Sequence, residues 1–227
     1  VYNVGYKIDE YNDILEFDLN GDWAGEFYSD ESFYYQAVEK MTEYQEPFCT
    51  MLVSVSTHIP FSLDGISDLD KKITIDPSEI EDGGLRNYLV SCNFADYSFG
   101  VLINELEKTD LLDHTILVVY GDHGAGLGNQ DAIQELHNEN GVEYTEEMSK
   151  LANMHIPFGM KIPNMQSGVI EEAKAKIDVK PTILDLLGVE DTFSLGHNLF
   201  SEKDYAFIRG IGLVTKDVYY LDEVCID

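Results

Sequence analysis

VVYGDHGAGLG, residues Val118–Gly128, joins an apolar run to an Asp-His pair and four glycines. The run begins earlier, as TILVVY from Thr115, and an uninterrupted apolar segment of this length is typical of a strand buried on both faces of a parallel sheet. Sheets of this kind bind their ligands at the carboxyl ends of the strands. The stretch therefore predicts an α/β fold with a functional site around Asp122 and His123.

Two further segments carry strand patterns. FCTMLVSVS from Phe48 is rich in β-branched residues and predicts a buried strand that ends near His58. HIPFGMKIP predicts another strand, from Ile156 to Ile162. His58 thus follows one predicted strand just as Asp122 and His123 follow the other, so we expect all three side chains at the carboxyl edge of the sheet.

Helical patterns alternate with these strands. They are predicted after Ser29, an N-cap candidate, over residues 86–108, over residues 129–138, and in residues 169–190, where Pro181 breaks the helix and Gly188 closes it. Such alternation implies a mostly parallel sheet with helices on both faces. YAFIRG and GLVTKDVYYL, near the end of the chain, add a small C-terminal antiparallel hairpin.

Acidic residues dominate the composition of the 227-residue chain: 43 Asp and Glu stand against 14 Lys and Arg, and the formal net charge is −29. Nucleic-acid binding needs clustered cations that neutralise phosphates, so this balance excludes nucleic acid as a partner. A polyanionic substrate would need a local cation, for which a bound metal ion is the obvious candidate. No repeat, linker or apolar run of the ~18 residues that can span a bilayer interrupts the sequence, so one continuous domain over residues 1–227 is predicted.

The glycines after Tyr120 fit neither of the common phosphate-binding loops. A dinucleotide fingerprint counted from Gly124 has Asn129 where its third glycine belongs, and no Gly-Lys-Ser/Thr follows as a P-loop requires. Asp122 and His123 instead offer a carboxylate oxygen and an imidazole nitrogen, which suit a borderline divalent ion such as Mn²⁺ or Zn²⁺. An Asp turn beside an ordinary surface histidine is the alternative, and the residues by themselves leave both open.

Four motifs together, TILVVYGDHG, STHIPF, HIPFGMKIP and IDVKPTILDLLG, resemble the lipoteichoic acid synthase group of the sulfatase/alkaline-phosphatase superfamily. GYKIDEYND near the start and FIRGIGLVTKDVYYL near the end are similar to the same group, so the resemblance covers nearly the whole chain. It implies an alkaline-phosphatase-like fold, in which residues 1–227 form the carboxyl-terminal portion of a single sulfatase-like catalytic domain.

The resemblance also implies an activity. Members of this group transfer glycerol phosphate from the head group of phosphatidylglycerol to a polymer or glycan acceptor, with a threonine nucleophile and a divalent metal ion, typically Mn²⁺, with Mg²⁺ or Zn²⁺ as other options. Carried over by motif, Asp122 and His123 become metal ligands and His58 becomes a contact of the substrate phosphate. The expected location is the extracellular face of the cell membrane, reached through an upstream membrane segment.

The sequence departs from the pattern of the group at its start. The nucleophilic threonine and a further acidic ligand are expected upstream of Val1, so the chain alone is expected to be inactive. Two alternatives remain open: a sulfatase or phosphoethanolamine transferase of the same superfamily, distinguished by a modifiable Cys or Ser in place of the Thr nucleophile, and a non-catalytic binding module with the same fold.

Overall fold

The computed structural model describes residues 17–78, 80–125, 127, 134, 154–190, 193–208, 212–221 and 224–226. These residues form two compact units, one that extends to Asn164 and one that begins at Met165. In neither unit, over these residues, does any helix combine the length and the apolar character needed to cross a membrane.

The first unit opens with a short antiparallel pair, β1 (Trp23–Ala24) and β2 (Phe27–Tyr28), followed by helix α1 (Asp30–Met41). The predicted N-cap is confirmed, because the hydroxyl of Ser29 accepts a hydrogen bond from the backbone N–H of Ser32 at 3.2 Å. The cap lets α1 begin directly after β2, which brings the start of the helix close to the chain around residue 56.

Helix α3 (Gly83–Lys108) confirms the helical pattern predicted over residues 86–108 and begins three residues earlier, because the carboxylate of Asp82 caps it by accepting the N–H of Leu85 at 2.7 Å. Its apolar face packs against α1, and between the two helices a core forms from Ala37, Val38, Met41, Leu102, Leu106 and Leu112. A second cluster surrounds the fully buried Phe94 and includes Ala24, Leu63 and Ile66. The four-residue helix α2 (Leu69–Lys72) lies between these elements in the sequence.

Strand β3 (Leu117–Tyr120) and strand β4 (Phe158–Lys161) confirm two of the three predicted strands. They pair antiparallel, with Val118 opposite Met160, and all strand pairs that the structure describes are antiparallel. The mostly parallel sheet with helices on both faces is therefore not confirmed over these residues. Val119 and Tyr120 are also partly exposed, so the apolar run of β3 is less buried than its sequence predicts.

The predicted strand that starts at Phe48 is wrong for the described structure, where residues 48–56 have no strand partner. Met51 is 78% exposed and Val53 is exposed as well. A strand requires its backbone N–H groups to bond to a neighbouring strand, but those of Val55 and Ser56 bond to the carboxylate of Asp30 instead. At the end of this segment the Asp30 carboxylate thus accepts the N–H groups that a neighbouring strand would otherwise bind.

The second unit begins its regular structure with a 3₁₀ turn (Lys176–Asp178) that leads into helix α4 (Val179–Leu186). The sequence predicted that Pro181 breaks the helix, and this is wrong, because Pro181 lies in the first turn of α4. The missing N–H of a proline there has no helical partner to lose. Gly188 closes the helix as predicted, in the left-handed conformation at φ +67°, with its N–H donating to the carbonyl of Asp185.

The predicted C-terminal hairpin is present and larger than expected. β5 (Ala206–Ile208) pairs antiparallel with β6 (Gly212–Val214), which pairs with β7 (Tyr219–Leu221), which pairs with β8 (Val224–Ile226). The helix predicted over residues 129–138 lies outside the described residues, apart from Gln134. The single domain over residues 1–227 stays a prediction.

Candidate metal and phosphate site

Asp122 and His123 follow directly on the end of β3. Gly121 follows β3 and still lies against the segment before β4: its N–H donates to the carbonyl of Pro157 at 3.0 Å, and a Cβ there would come within 3.2 Å of Ile156 and Pro157. The close approach of this backbone to the segment before β4 favours glycine. The chain bends only at Asp122 and His123, so the Asp-His pair lies just beyond the end of the two-stranded sheet.

The two side chains lie together at the surface. Nε2 of His123 is 3.6 Å from Oδ2 of Asp122, and the side chains are 74% and 83% exposed. Nδ1 of His123 lies 2.8 Å from the carbonyl oxygen of Gly124, which can only accept a hydrogen bond, so Nδ1 carries the proton. In the neutral ring this tautomer leaves the lone pair on Nε2, the nitrogen that faces Asp122.

This arrangement fits two neighbouring ligands of one divalent ion. Two ligand atoms about 2.1 Å from a tetrahedral ion stand about 3.4 Å apart, close to the separation of Nε2 and Oδ2. Histidines that bind metals also commonly donate their other ring N–H to a backbone carbonyl, as His123 does to Gly124. Within the described residues, no third His, Cys, Asp or Glu joins the pair. The pair thus offers part of a coordination shell.

His58, the predicted phosphate contact, lies in a separate exposed turn. Its backbone N–H donates to the carbonyl of Val55 at 2.9 Å, and its own carbonyl accepts the N–H of Phe61 at 2.8 Å. Nδ1 is 2.7 Å from the carbonyl of Ile59, so this ring also carries its proton on Nδ1 and directs Nε2 outward. The edge-to-face contact with Phe27, at 5.4 Å between ring centroids, holds the ring from the side. The described contacts of His58 do not include Asp122 or His123.

The structure adds Asp30, which no sequence pattern singles out. Its carboxylate is 1% exposed, and Oδ1 accepts the N–H of Val55 at 2.8 Å and that of Ser56 at 3.2 Å. Burial raises the pKa of Asp30, although the hydrogen bonds from Val55 and Ser56 oppose this. Burial and the negative charge of Asp30 together raise the pKa of Tyr34 to about 12. An Asp in the first helical turn is so common that the sequence gives no signal for these hydrogen bonds to a distant segment.

The comparison with known families decides the class of the chain. The family model named Sulfatase matches residues 3–189. The chain belongs to the sulfatase family. Within this family, its match with lipoteichoic acid synthase of Staphylococcus aureus strain USA300 runs over 225 residues at 27% identity, and the same protein of strain NCTC 8325 gives the same figures. The predicted resemblance to the lipoteichoic acid synthase group is confirmed.

A solved structure supports the same assignment of this sulfatase-family chain. The crystal structure of lipoteichoic acid synthase LtaP from Listeria monocytogenes matches 92% of the chain with a TM-score of 0.74 and 28% sequence identity. The alkaline-phosphatase-like α/β fold predicted from the resemblance is thereby supported. The chain spans a third of the length of the Staphylococcus aureus relatives and about half of the LtaP chain.

Proposed function

We propose that this chain is part of a metal-dependent phosphoglycerol transferase of the lipoteichoic acid synthase type. The observation that carries the proposal is the Asp122–His123 pair, whose Nε2 and Oδ2 atoms lie 3.6 Å apart at the end of β3 in a sulfatase-family chain. The similarity to lipoteichoic acid synthases over nine-tenths of the chain supports glycerol phosphate transfer as the reaction.

Asp122 and His123 would hold the divalent ion, with Mn²⁺ as the first choice and Mg²⁺ or Zn²⁺ as alternatives. A bound ion of this kind lowers the pKa of a coordinated hydroxyl and offsets the charge that builds on a transferred phosphoryl group. Because no third potential ligand joins the pair within the described residues, the remaining ligands would come from other parts of the full-length protein, as would the nucleophile that the family resemblance implies. In that arrangement the isolated chain binds metal weakly and does not turn over.

His58 would act on the phosphoryl group itself. Because Nδ1–H is already donated to Ile59, a hydrogen bond to a non-bridging phosphate oxygen must come from Nε2 of the protonated ring. The same proton can pass to the leaving alkoxide when the phosphate–oxygen bond breaks. In this role His58 stabilises charge that develops in the transition state, so its loss should lower kcat more than it raises KM.

The remaining features of the proposal concern substrates and location. The donor would be a phosphatidylglycerol-type lipid head group and the acceptor a glycerophosphate polymer or glycan. The enzyme would act at the extracellular face of the cell membrane, held there by a membrane segment of the full-length protein. With a net charge of −29 on the chain, a bound cation would offset the repulsion of an anionic phosphodiester.

The chain offers a matched control for the metal assignment. A second Asp-His dipeptide, Asp113-His114, is also exposed and lies before β3, at the opposite end of the strand. In the full-length protein, Asp122→Ala should abolish transfer of glycerol phosphate and weaken Mn²⁺ binding at least about tenfold, whereas Asp113→Ala should change neither. Mn²⁺ binding is measured by electron paramagnetic resonance of the free ion, and transfer by release of diacylglycerol from labelled phosphatidylglycerol.

The outcomes separate the candidate functions. Unchanged Mn²⁺ binding in Asp122→Ala would remove Asp122 from the metal site. Retained metal binding with turnover of a sulfate ester or a phosphoethanolamine donor, but not of phosphatidylglycerol, would indicate the sulfatase or phosphoethanolamine transferase alternative. A full-length protein that binds the lipid head group without any turnover would indicate the non-catalytic module.

A further inference from the structure

We infer that Asp30 is a positioning residue that fixes the turn carrying His58. The inference rests on the proposed function, because it gives Asp30 a role only through the action of His58 on the phosphoryl group. Its basis is a chain of hydrogen bonds that leads from the start of α1 to the backbone of His58, together with an aromatic contact to the His58 ring from the same short segment.

The first step is the bond pattern between Asp30 and the turn. Oδ1 accepts the N–H groups of Val55 and Ser56, and Oδ2 lies 3.2 Å from the N–H of Ser56. In return, the backbone N–H of Asp30 donates to the hydroxyl of Ser56 at 3.2 Å. Both Asp30 and Ser56 are almost fully buried, so these bonds form away from competing water.

The second step connects this pair to His58. The carbonyl of Val55 accepts the backbone N–H of His58, so the residue whose N–H is held by Asp30 also closes the turn that carries the imidazole. On the far side, Phe61 donates to the carbonyl of His58, and its buried ring packs edge-to-face on Tyr88. The backbone of His58 is thus held from both directions, while its ring remains exposed.

The third step concerns the ring. Phe27 lies three residues before Asp30, at the start of β2, and its ring meets the His58 imidazole edge-to-face. The segment from Phe27 to Asp30 therefore contacts both the backbone and the ring of the turn. Since β2 and α1 belong to the packed part of the first unit, they hold an exposed loop histidine by rigid elements.

The helix itself does not require a buried carboxylate at Asp30. Ser29 already caps α1, and an exposed acid in the first turn would interact with the helix dipole equally well. Burial raises the pKa of Asp30, so the charged form is disfavoured where it lies. The hydrogen bonds from Val55 and Ser56 therefore give the reason for a buried carboxylate at this position, because they hold the turn that carries His58.

The test uses the full-length protein and three single variants: Asp30→Asn, His58→Ala and the control Ser29→Ala. Asn keeps the size of Asp but replaces one acceptor oxygen by an NH₂ group, which cannot accept from Ser56. We expect Asp30→Asn to lower kcat between about tenfold and a hundredfold, with Mn²⁺ affinity unchanged. Ser29→Ala weakens the same helix start without touching the turn, and should leave kcat within about twofold of the parent.

The double variant Asp30→Asn/His58→Ala shows whether Asp30 acts through His58. If it does, Asp30→Asn changes kcat by less than about twofold once His58 is absent. Multiplicative losses would overturn the inference, as would a kcat loss in Ser29→Ala equal to that of Asp30→Asn. Should Asp30→Asn fail to fold, Ser56→Ala removes one bond of the same pair and is expected to give the same non-additive pattern at smaller size.

A second measurement does not depend on turnover. The rate at which diethyl pyrocarbonate modifies each histidine, followed by mass spectrometry, should change at least about threefold at His58 in Asp30→Asn and stay constant at His114. An unchanged rate at His58 would overturn the inference. If His58→Ala keeps the parent kcat, the proposed function of His58 fails, and the modification rate alone then decides whether Asp30 positions the turn.

Discussion

Thr182 gives the sharpest test of how the second unit is held together. Its side chain is fully buried, Oγ1 donates to the carbonyl of Asp178 at 2.6 Å, and it accepts the backbone N–H of Leu199 at 2.8 Å. Through this hydroxyl, α4 holds the loop that leads towards the C-terminal sheet. Thr182→Val keeps the volume and the branching of the side chain but removes both hydrogen bonds.

The magnitude follows from what each lost bond leaves behind. The Asp178 carbonyl loses little, because a helical carbonyl at this position has a backbone partner as well. The N–H of Leu199 is left as a buried donor without a partner, and such a group costs about 1–3 kcal/mol. We therefore expect Thr182→Val to lower the free energy of unfolding by about 2 kcal/mol, and to lower Tm by about 4–8 °C in a chain of this size.

The assay combines thermal unfolding, followed by far-UV circular dichroism, with amide hydrogen exchange at Leu199. Thr182→Ser is the matched control, since it loses a buried methyl group, worth about 1 kcal/mol, but keeps the hydroxyl. Exchange at Leu199 should rise about thirtyfold in Thr182→Val and only about fivefold in Thr182→Ser. A Tm change below about 2 °C in Thr182→Val, or equal exchange in both variants, would refute the reasoning.

Two further predictions concern stability. In Gly196→Ala the added Cβ would overlap the carbonyl of Ile177 and lie 2.8 Å from the N–H nitrogen of Asp178, so we expect the free energy of unfolding to fall by about 1–3 kcal/mol. The control Gly168→Ala, where a Cβ meets nothing within 4 Å, should show no measurable change. Equal unfolding midpoints in the two variants would contradict this. For Asp22, burial raises the pKa, but the hydrogen bonds from Ser67 and the ammonium group of Lys72 outweigh it and hold the pKa below its ordinary value. A carboxyl group whose pKa is lowered in the folded state contributes stability that is lost as pH falls below about 5. Urea unfolding should therefore show a smaller drop in the free energy of unfolding between about pH 7 and pH 3 in Asp22→Asn than in the parent. Parallel pH profiles would exclude Asp22 as a contributor.

The elements that the sequence predicts well are those whose pattern reports local chemistry. Ser29 and Gly188 mark the two ends of helices because a cap is satisfied within a few residues of itself. The apolar spacing of α3 likewise reflects the face that this helix buries. The β-rich runs predict the positions of β3 and β4, although Val119 and Tyr120 stay partly exposed. For the same reason the placement of Asp122 and His123 beyond the end of β3 could be predicted, since it follows from a strand boundary and a glycine.

What the sequence could not show are the long-range partners. The segment before His58 has the composition of a strand, but its last N–H groups bond to a carboxylate 25 residues upstream. No local pattern reports such a bond, because the acceptor is an ordinary first-turn acid. The same limit applies to the direction of pairing: the apolar run of β3 predicts a strand, while its antiparallel partner, β4, begins 38 residues after β3 ends.

The two candidate histidines share the same local hydrogen bond but differ in the groups around their rings. His58 and His123 each donate Nδ1–H to the carbonyl of the next residue, Ile59 and Gly124, which fixes the tautomer and directs Nε2 away from the backbone. What differs is the neighbour of Nε2: a carboxylate oxygen for His123, and solvent beside an aromatic ring for His58. A nitrogen lone pair that faces a carboxylate is suited to share a cation with it, whereas an outward Nε2 can donate to an anion once it also carries a proton. The proposed roles therefore need different protonation states of Nε2, a lone pair in His123 and an N–H in His58, and the neighbours that β3 and the Phe27–Asp30 segment provide differ accordingly.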